Sequence, residues 1–175
     1  MNTGQMMLTI AAMFLLSMVI LTANRGYLTT STTVNESRYD IMGVSVANSI
    51  IEDATNLAFD ENTVAAAVSN TSSLTTVAHL GLDGSENSNN WKGFDDFDDY
   101  NCYKSSPRRD TVQIQGTTRQ MIFNSFVRVD YVDPSNPNTI ATSQTYHKKI
   151  SIRVFAPGMT DTVKMSSVYS YWYFR

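Results

Sequence analysis

Four aspartates and one asparagine lie within seven residues of each other in the stretch DDFDDYN. They are Asp95, Asp96, Asp98, Asp99 and Asn101. Carboxylates this close together repel unless they are solvated or bridged by a cation, and oxygen donors of this kind suit Ca²⁺. The stretch lacks the glycine of an EF-hand loop. The pattern leaves three interpretations open: a solvated acidic loop, salt bridges to another chain, or a Ca²⁺ site.

The other residues that commonly do chemistry are few and scattered. His79 and His147 are the only histidines, and neither lies near acidic or cysteine partners that would indicate a triad or a zinc site. Cys102 is the only cysteine, so no disulfide can form within the chain. The sequence contains no glycine-rich phosphate loop, no GxSxG and no CxxC. We therefore expect that the chain is not an enzyme and uses no cofactor other than the candidate Ca²⁺.

Two short patterns match sites of glycan attachment. Asn35 and Asn70 each begin an Asn-x-Ser/Thr triplet, and the threonine-rich stretch 29–33 is a candidate for O-linked sugar.

The first 24 residues carry no charged side chain. A helix over the apolar run 6–23 would nearly span a hydrocarbon core about 30 Å thick. A secretory signal peptide usually has a basic residue before the apolar run and a small-x-small cleavage site after it. MNTGQ has no basic residue and ILTANRG is a poor cleavage site, so we expect this segment to be retained.

A second helical pattern follows a polar stretch that contains Gly26. The positions that recur at helical spacing are Ile41, Val44, Ala47 with Asn48, Ile51, Ala54 with Thr55, and Ala58. Asn35 or Ser37 is a candidate cap for this second half. These patterns predict one long, interrupted helix from about residue 2 to 59, with an apolar first half and an amphipathic second half.

The last third of the chain has the alternating pattern of β-strands. We expect strands over 111–116, 119–133, 146–157 and 161–174, separated by the turn-rich VDPSNPNT and APGMTD. The predicted fold is α+β, with the amphipathic half of the helix packed on a four-stranded antiparallel sheet. The segments expected are an apolar helix over 1–28, its amphipathic continuation over 29–59, a connecting region over 60–110 and the sheet over 111–175.

Charge is distributed unevenly along the chain, whose formal net charge is −3. Residues 1–90 carry two basic residues against eight acids, and residues 91–175 carry eleven against eight. This asymmetry would let the negative half of one copy face the positive half of another, although two ordinary solvated surfaces fit equally well. The net charge gives no indication of nucleic-acid binding.

This layout resembles the type IV pilin family and the pseudopilins of type II secretion, over essentially the whole chain. The resemblance implies a structural subunit that waits in the inner membrane and polymerises with identical subunits into an extracellular filament. It also implies a prepilin peptidase, N-terminal methylation and a pilus assembly machinery as partners. The alternatives are a secretion pseudopilin and an anchored, exported binding protein that acts as a monomer.

Family members normally have a leader ending in glycine and a glutamate five residues into the mature chain. If Gly4 ends a leader, Thr9 stands at the place of the glutamate; if Met1 is the mature N-terminus, Gln5 stands there and Tyr27 matches a frequent family tyrosine. We favour the second alignment. Either alignment leaves the terminal amine without the family's carboxylate, which would weaken subunit docking.

The resemblance implies that subunits pack through the apolar half of the helix. Small side chains there would allow close approach, and methionines would fill irregular gaps. The packing residues expected are Met1, Gln5, Met6, Leu8, Ala11, Ala12, Phe14, Leu15, Leu16, Met18, Val19, Leu21 and Tyr27.

Overall fold

A single long α-helix dominates the chain, in a computed structural model that describes residues 2–84, 86–114, 116 and 118–171. Helix α1 spans Thr3–Thr55 without a break, which corresponds to a length of about 80 Å at 1.5 Å per residue. The interruption expected near Gly26 is therefore wrong, and so is the cap expected at Asn35 or Ser37. The helix also ends four residues earlier than the expected limit of residue 59.

The hydroxyl groups of the polar middle bond within the helix. Thr29 and Thr30 donate hydrogen bonds to the carbonyls of Arg25 and Gly26, and Ser37 donates to the carbonyl of Thr33, each at 2.9 Å. Hydroxyls bonded in this way do not interrupt the helix here. A Ser/Thr-rich composition alone does not distinguish this arrangement from a loop.

The connection between helix and sheet consists of short helical turns. Helix α2, Glu61–Val64, begins with a capping box, in which the Asp60 side chain accepts from the backbone N–H of Thr63 and the Thr63 hydroxyl accepts from the backbone N–H of Asp60 at 3.0 Å. Four 3₁₀ helices follow, over Thr71–Ser73, Val77–His79, Trp91–Gly93 and Asp98–Lys104. The longest of them contains Asp98, Asp99 and Asn101 of the acidic stretch.

The sheet is antiparallel throughout, and its main path runs in the order β1-β2-β4-β5. The bounds are Arg108–Gln113 for β1, Gln120–Asp133 for β2, His147–Phe155 for β4 and Val163–Ser170 for β5. The four strands and the α+β fold confirm the prediction, although β1 begins at Arg108, three residues before its expected start and within the segment expected to connect helix and sheet. A fifth, short strand, β3 over Asn136–Ile140, pairs with the end of β2 through an irregular register. We expected a turn here because the segment contains prolines.

One face of the sheet is covered by the second half of α1. The inward residues of β2 and β4 alternate as expected, with Val127 and Val129 on one strand and Ile150, Ile152 and Val154 on the other. They pack against buried residues of α1 in one core. This arrangement fixes the helix to the domain along its last four turns.

The helix face that packs on the sheet agrees with the expected stripe only in part, at Ala47 and Ala54. The buried residues of α1 are Gly43, Val46, Ala47, Ile50 and Ala54. Ile41 and Val44, which belonged to the expected stripe, are exposed. Since Gly43 carries no side chain, the sequence pattern had no apolar residue to mark the true contact line there.

A second, smaller core closes the end of the domain where α1 terminates. Phe59, Leu74, Leu80 and Tyr131 are buried in it, with Tyr169 and Tyr171 packed nearby. These two tyrosines belong to the aromatic run YSYWYF, which covers residues 169–174. The rest of that aromatic run, 172–174, lies outside the described residues.

Candidate functional site

The first half of α1 is an exposed apolar surface. Every residue from 2 to 38 is exposed, including Met7 at 76% and Phe14 at 69% of their full accessible area. An 18-residue window of this helix has a mean hydropathy of 2.3 and no buried residue, so the helix is long and apolar enough to cross or anchor in a membrane. Contiguous apolar surface of this extent marks a site of contact with a membrane or another protein.

The structure places the expected packing residues on this surface. Those on α1 with exposed side chains are Gln5, Met6, Leu8, Ala11, Ala12, Phe14, Leu15, Leu16, Met18, Val19, Leu21 and Tyr27. Met1 lies outside the described residues.

The few hydroxyls in the apolar half are satisfied within the helix. Thr9, Ser17 and Thr22 donate to the carbonyls of Met6, Met13 and Met18 at 2.9, 2.9 and 2.8 Å. Such bonds remove the cost of placing a hydroxyl in an apolar environment. The segment therefore presents an almost uniformly apolar exterior.

Gln5 lies in the first turn of α1, where backbone N–H groups have no helical partner. Its backbone N–H donates to the carbonyl of Asn2 at 2.9 Å, and no acidic residue stands in this turn. Its side chain is exposed.

The acidic stretch is largely buried, which excludes a fully solvated acidic loop. Asp96, Asp98 and Asp99 are about 2% exposed or less, whereas Asp95 is exposed. The Asp96 carboxylate accepts from the backbone N–H groups of Asp98 and Asp99 at 2.8 and 3.1 Å, and the Asp99 carboxylate accepts from those of Asp95 and Asp96 at 3.2 Å. These bonds fold the stretch back on itself.

The five residues of the acidic stretch have different environments. Asn101 donates to the carbonyl of Leu80 at 2.8 Å and accepts from the N–H of Val129 at 3.2 Å, which ties the 3₁₀ helix to the sheet. Asp95 and Asp99 lie beside Glu86, with one ligand oxygen from each residue within 4.8 Å of the others. Asp95 and Asp99 are thus the candidate calcium ligands that lie in one carboxylate cluster. The third member, Glu86, is a residue that the sequence analysis missed.

Two carboxyl groups of this stretch have raised pKa values because they are buried. They therefore stay protonated at a pH at which exposed carboxyl groups are ionised. Desolvation, with the nearby Asp98 charge adding to it, raises the pKa of Asp96 to about 8. Desolvation, assisted by the adjacent Glu86 carboxyl, raises the pKa of Asp99 to about 9. A proton or a cation therefore has to compensate the charge of this cluster.

A buried lysine forms the electrostatic centre of the domain. Lys148, on β4, is fully buried; its Nζ lies 2.8 Å from Asp60 Oδ2 and 2.8 Å from the carbonyl oxygen of Phe59, and it contacts Asp98 Oδ1. The three ionisable side chains come from the end of the helical region, the 3₁₀ helix and the sheet. Buried charges of this kind occur only when they are paired.

Sequence reasoning missed Lys148, although the strand pattern contains a signal for it. Ile150, Ile152 and Val154 point to the core, so the same period of two places Lys148 on the buried face. A lysine at an inward strand position requires an acidic partner. Its partners Asp60 and Asp98 are 88 and 50 residues away in the sequence, so no local pattern identifies them.

The remaining candidate residues lie apart from one another on the surface or at its edge. Asn35 and Asn70 are exposed, the first on α1 and the second before a 3₁₀ helix, where its side chain accepts from the N–H of Ser72. His79 Nδ1 lies 2.7 Å from Thr76 Oγ1, and His147 Nδ1 lies 2.7 Å from Ser170 Oγ. Cys102 is half-buried with a free thiol, and burial raises its pKa to about 12, which is the opposite of nucleophilic activation.

Comparison with known proteins finds no match for this chain among protein-family models, curated proteins or solved structures.

Proposed function

We propose that this chain is a structural subunit of a type IV pilus-like filament, and that it polymerises through the apolar half of α1. One observation carries the proposal. An uncharged apolar segment, exposed along its whole length, is continuous with a helix whose other half is fixed to a folded domain.

An exposed surface of this kind needs an apolar partner. Water alone is an unfavourable environment for it, because each square ångström of apolar area removed from water is worth about 25 cal/mol. A membrane satisfies the segment before assembly, since a helix bonds all its backbone polar groups internally. After assembly, copies of the same helix cover this apolar surface, and the folded domains lie on the outside of the filament.

The composition of the segment favours contact between helices over contact with lipid alone. Ala11, Ala12 and Ser17 are small enough for close approach of two backbones, and flexible methionines fill irregular gaps between helices. An anchor that acts as a single copy needs only hydrophobicity and usually has basic residues at its cytoplasmic end. Residues 1–24 contain none.

Gln5 gives this filament a particular electrostatic character. In the alignment that starts the mature chain at Met1, a Gln5 carbonyl accepts a hydrogen bond from the amine of a neighbour but does not cancel its charge. Docking then depends on apolar packing and on the opposite net charges of the two halves of the chain. The family resemblance further implies a prepilin peptidase, methylation, residence in the inner membrane before assembly and a pilus machinery.

The test of the proposal is the location of the protein in cells that produce it. We expect shearing to release it in a form that sediments as filaments and that antibodies to the domain decorate along their length. Recovery of the protein only as dispersed monomers in the membrane fraction would support the alternative of an anchored binding protein. Filaments confined to the periplasm would support a secretion pseudopilin.

Calcium at Asp95 and Asp99, joined by Glu86, stays a prediction that chelation tests. If an ion bridges these carboxylates, EDTA lowers the melting temperature and Ca²⁺ restores it, because the ion stabilises only the folded state. An unchanged melting temperature would remove calcium from the account. Glycans at Asn35 and Asn70 also stay predictions, which the mass of the peptides that contain them decides.

A further inference from the structure

The amine of Lys148 is enclosed by one carbonyl oxygen and two carboxyl groups. Its Nζ lies 2.8 Å from the Phe59 carbonyl oxygen and 2.8 Å from Asp60 Oδ2, and it contacts Asp98 Oδ1 directly. Lys148 and Asp60 have no exposed area, and the Asp98 side chain has 2%. An amine and a carboxyl group are therefore held together with essentially no access to water.

Aromatic rings line the remaining space around the amine. The Nζ lies 4.7 Å from the centre of the Phe59 ring and 5.2 Å from that of Tyr131. Ring faces at these distances attract an ammonium, but they also keep water away from it, so the amine becomes a nucleophile once Asp60 has taken its proton. The site thus brings together the two reactants of an amide condensation and removes the solvent that would separate them.

The two carboxyl groups differ in their surroundings. The Asp60 carboxylate accepts hydrogen bonds from Asn62, from the N–H and hydroxyl of Thr75, and from the Tyr131 hydroxyl, at 3.0 to 3.2 Å. Among the described residues, Asp98 has, besides Lys148, only the N–H of Gly81, at 3.4 Å. Asp60 is therefore stabilised as a carboxylate and Asp98 is not.

The hydrogen bonds also affect the acidity of Asp60. Burial opposes ionisation of Asp60, but the Lys148 charge and the hydrogen bonds outweigh it and hold its pKa below the ordinary value. The contacts thus mark Asp60 as the ionised group that can accept a proton, and leave Asp98, in direct contact with the amine, as the carboxyl group that is attacked.

We propose that Lys148 and Asp98 condense autocatalytically into an intramolecular isopeptide bond, with Asp60 as the proton acceptor. This modification is independent of the proposed filament function, because it concerns the interior of the domain.

The reaction balances without an oxidant or a cofactor. Asp60 takes one proton from the Lys148 ammonium, and the neutral Nζ attacks Cγ of the protonated Asp98 carboxyl. The Nζ–Cγ bond forms, the bond from Cγ to the hydroxyl oxygen breaks, and that hydroxyl leaves as water with a second proton from Nζ. The products are a secondary amide, one water molecule and a neutral Asp60 carboxyl.

Two physical effects favour this outcome. Fixing the reactants in contact turns a bimolecular condensation into a unimolecular one, for which effective concentrations are very high. The product also contains no buried charge, whereas the reactants are an ammonium and a carboxylate in the domain core. The new bond joins residues 50 positions apart and restricts the unfolded chain as a disulfide would.

Mass spectrometry of the purified full-length chain tests the proposal. We expect the folded protein to be lighter than its unlinked chain by one water molecule. For each protein, the measured mass is compared with the mass expected from its sequence, and the Lys148→Arg variant serves as the unlinked reference. Any processing at the N-terminus shifts both masses equally and so does not affect the comparison. Trypsin digestion should yield a linked species that joins residues 93–104 to residues 129–149, with the bond after Lys148 uncleaved.

Variants separate the roles of the three residues. Asp60→Asn keeps both reacting groups but removes the base, so we expect it to accumulate the unlinked chain. Lys149→Arg is the matched control, because Lys149 lies on the same strand with its Nζ bonded to the exposed Asn138, and it should remain linked. A linked Asp60→Asn protein would overturn the role given to Asp60.

The wild-type peptides decide the proposal even if the variants do not fold. Recovery of residues 93–104 as an unlinked peptide from folded wild-type protein, with cleavage after Lys148, would overturn the isopeptide bond. The ion pair would then be the final state of the site.

Discussion

Lys148 Nζ lies 2.8 Å from Asp60 Oδ2, with both side chains fully buried. This contact joins the inner face of β4 to the residue that caps α2, just beyond the end of α1. Asp98 completes the cluster from the 3₁₀ helix. Three segments that are distant in sequence are thereby fixed at one point, at the end of the domain where the long helix terminates.

Replacing Lys148 should destabilise the domain strongly. Lys148→Met leaves Asp60 and Asp98 buried without a cation or a covalent partner, and breaking a buried pair from one side costs about 3–5 kcal/mol. Urea unfolding of the full chain in detergent, followed by circular dichroism, measures the loss. Lys149→Met is the control and should change the free energy of unfolding by about 0.5 kcal/mol or less; equal effects of the two variants would contradict the assigned role.

Stability should fall as pH rises from mildly acidic to alkaline values. The pKa values of Asp96 and Asp99 are raised from 3.8 to about 8 and about 9, so the folded state binds more protons than the unfolded state between these limits. Their contribution is complete below pH 4 and is lost as pH approaches 8 and 9. Urea midpoints measured in EDTA at pH 5 and pH 8 should show the decrease.

Asp99→Asn separates this effect from general alkaline destabilisation. The amide oxygen can still accept the N–H bonds of Asp95 and Asp96, but the side chain cannot ionise. We expect the free energy of unfolding to fall less steeply with pH in this variant. The slope should be smaller by up to about 1.4 kcal/mol per pH unit, the value for one proton. Asp161→Asn, at an exposed position, is the control; an Asp99→Asn protein with the wild-type slope would refute the account.

Gly43 should be sensitive to the size of its replacement. A Cβ atom there would lie 2.8 Å from Met159 Cε and 3.4 Å from Val163 Cγ2. Gly43→Ala should be nearly neutral, because the end of Met159 can move and alanine gains about 1 kcal/mol of helix propensity over glycine. Gly43→Leu should cost about 1–3 kcal/mol by overpacking the contact between helix and sheet.

Gly26 provides the comparison for Gly43 within the same helix. No atom lies within 4 Å of a Cβ built at Gly26. We expect Gly26→Leu to leave the urea unfolding of the domain unchanged. A stable Gly43→Leu protein would show that the helix does not need close contact with the sheet at this point.

The strands were predictable from sequence, and the helix only in part. Alternation of Val127 and Val129 with polar neighbours marks a strand directly, because one face is buried and the other is not. The helix stripe was right at Ala47 and Ala54 but wrong at Ile41 and Val44, because the contact there is made by Gly43, which gives no hydrophobic signal. The threonines near Gly26 resembled a loop because their bonds to preceding carbonyls are invisible in composition.

The cluster of Lys148, Asp60 and Asp98 could not be predicted from local sequence patterns. Asp98 belonged to a recognisable acidic stretch, but its partner Lys148 lies on a distant strand and Asp60 belongs to a helix cap. Only the tertiary fold brings the three together. The same limit applies to Glu86, which joins Asp95 and Asp99 from across a loop.

A charge in the middle of the apolar segment should prevent assembly without affecting the domain. Leu16 is exposed on α1 and far from the sheet, so Leu16→Glu leaves the core contacts intact. A carboxylate in a helical core or a hydrocarbon layer is strongly unfavourable unless it finds a partner. We expect no sheared filaments from this variant and an unchanged urea midpoint of the domain. Leu16→Met, which preserves volume and polarity, should assemble normally.

Electron microscopy of sheared surface material is the most direct test of the proposed function. The account predicts filaments whose helical reconstruction shows residues 3–24 of many copies packed around the axis, with the β-sheet domains outside. Absence of the chain from any filament, or a filament in which these helices face solvent and not one another, would contradict it.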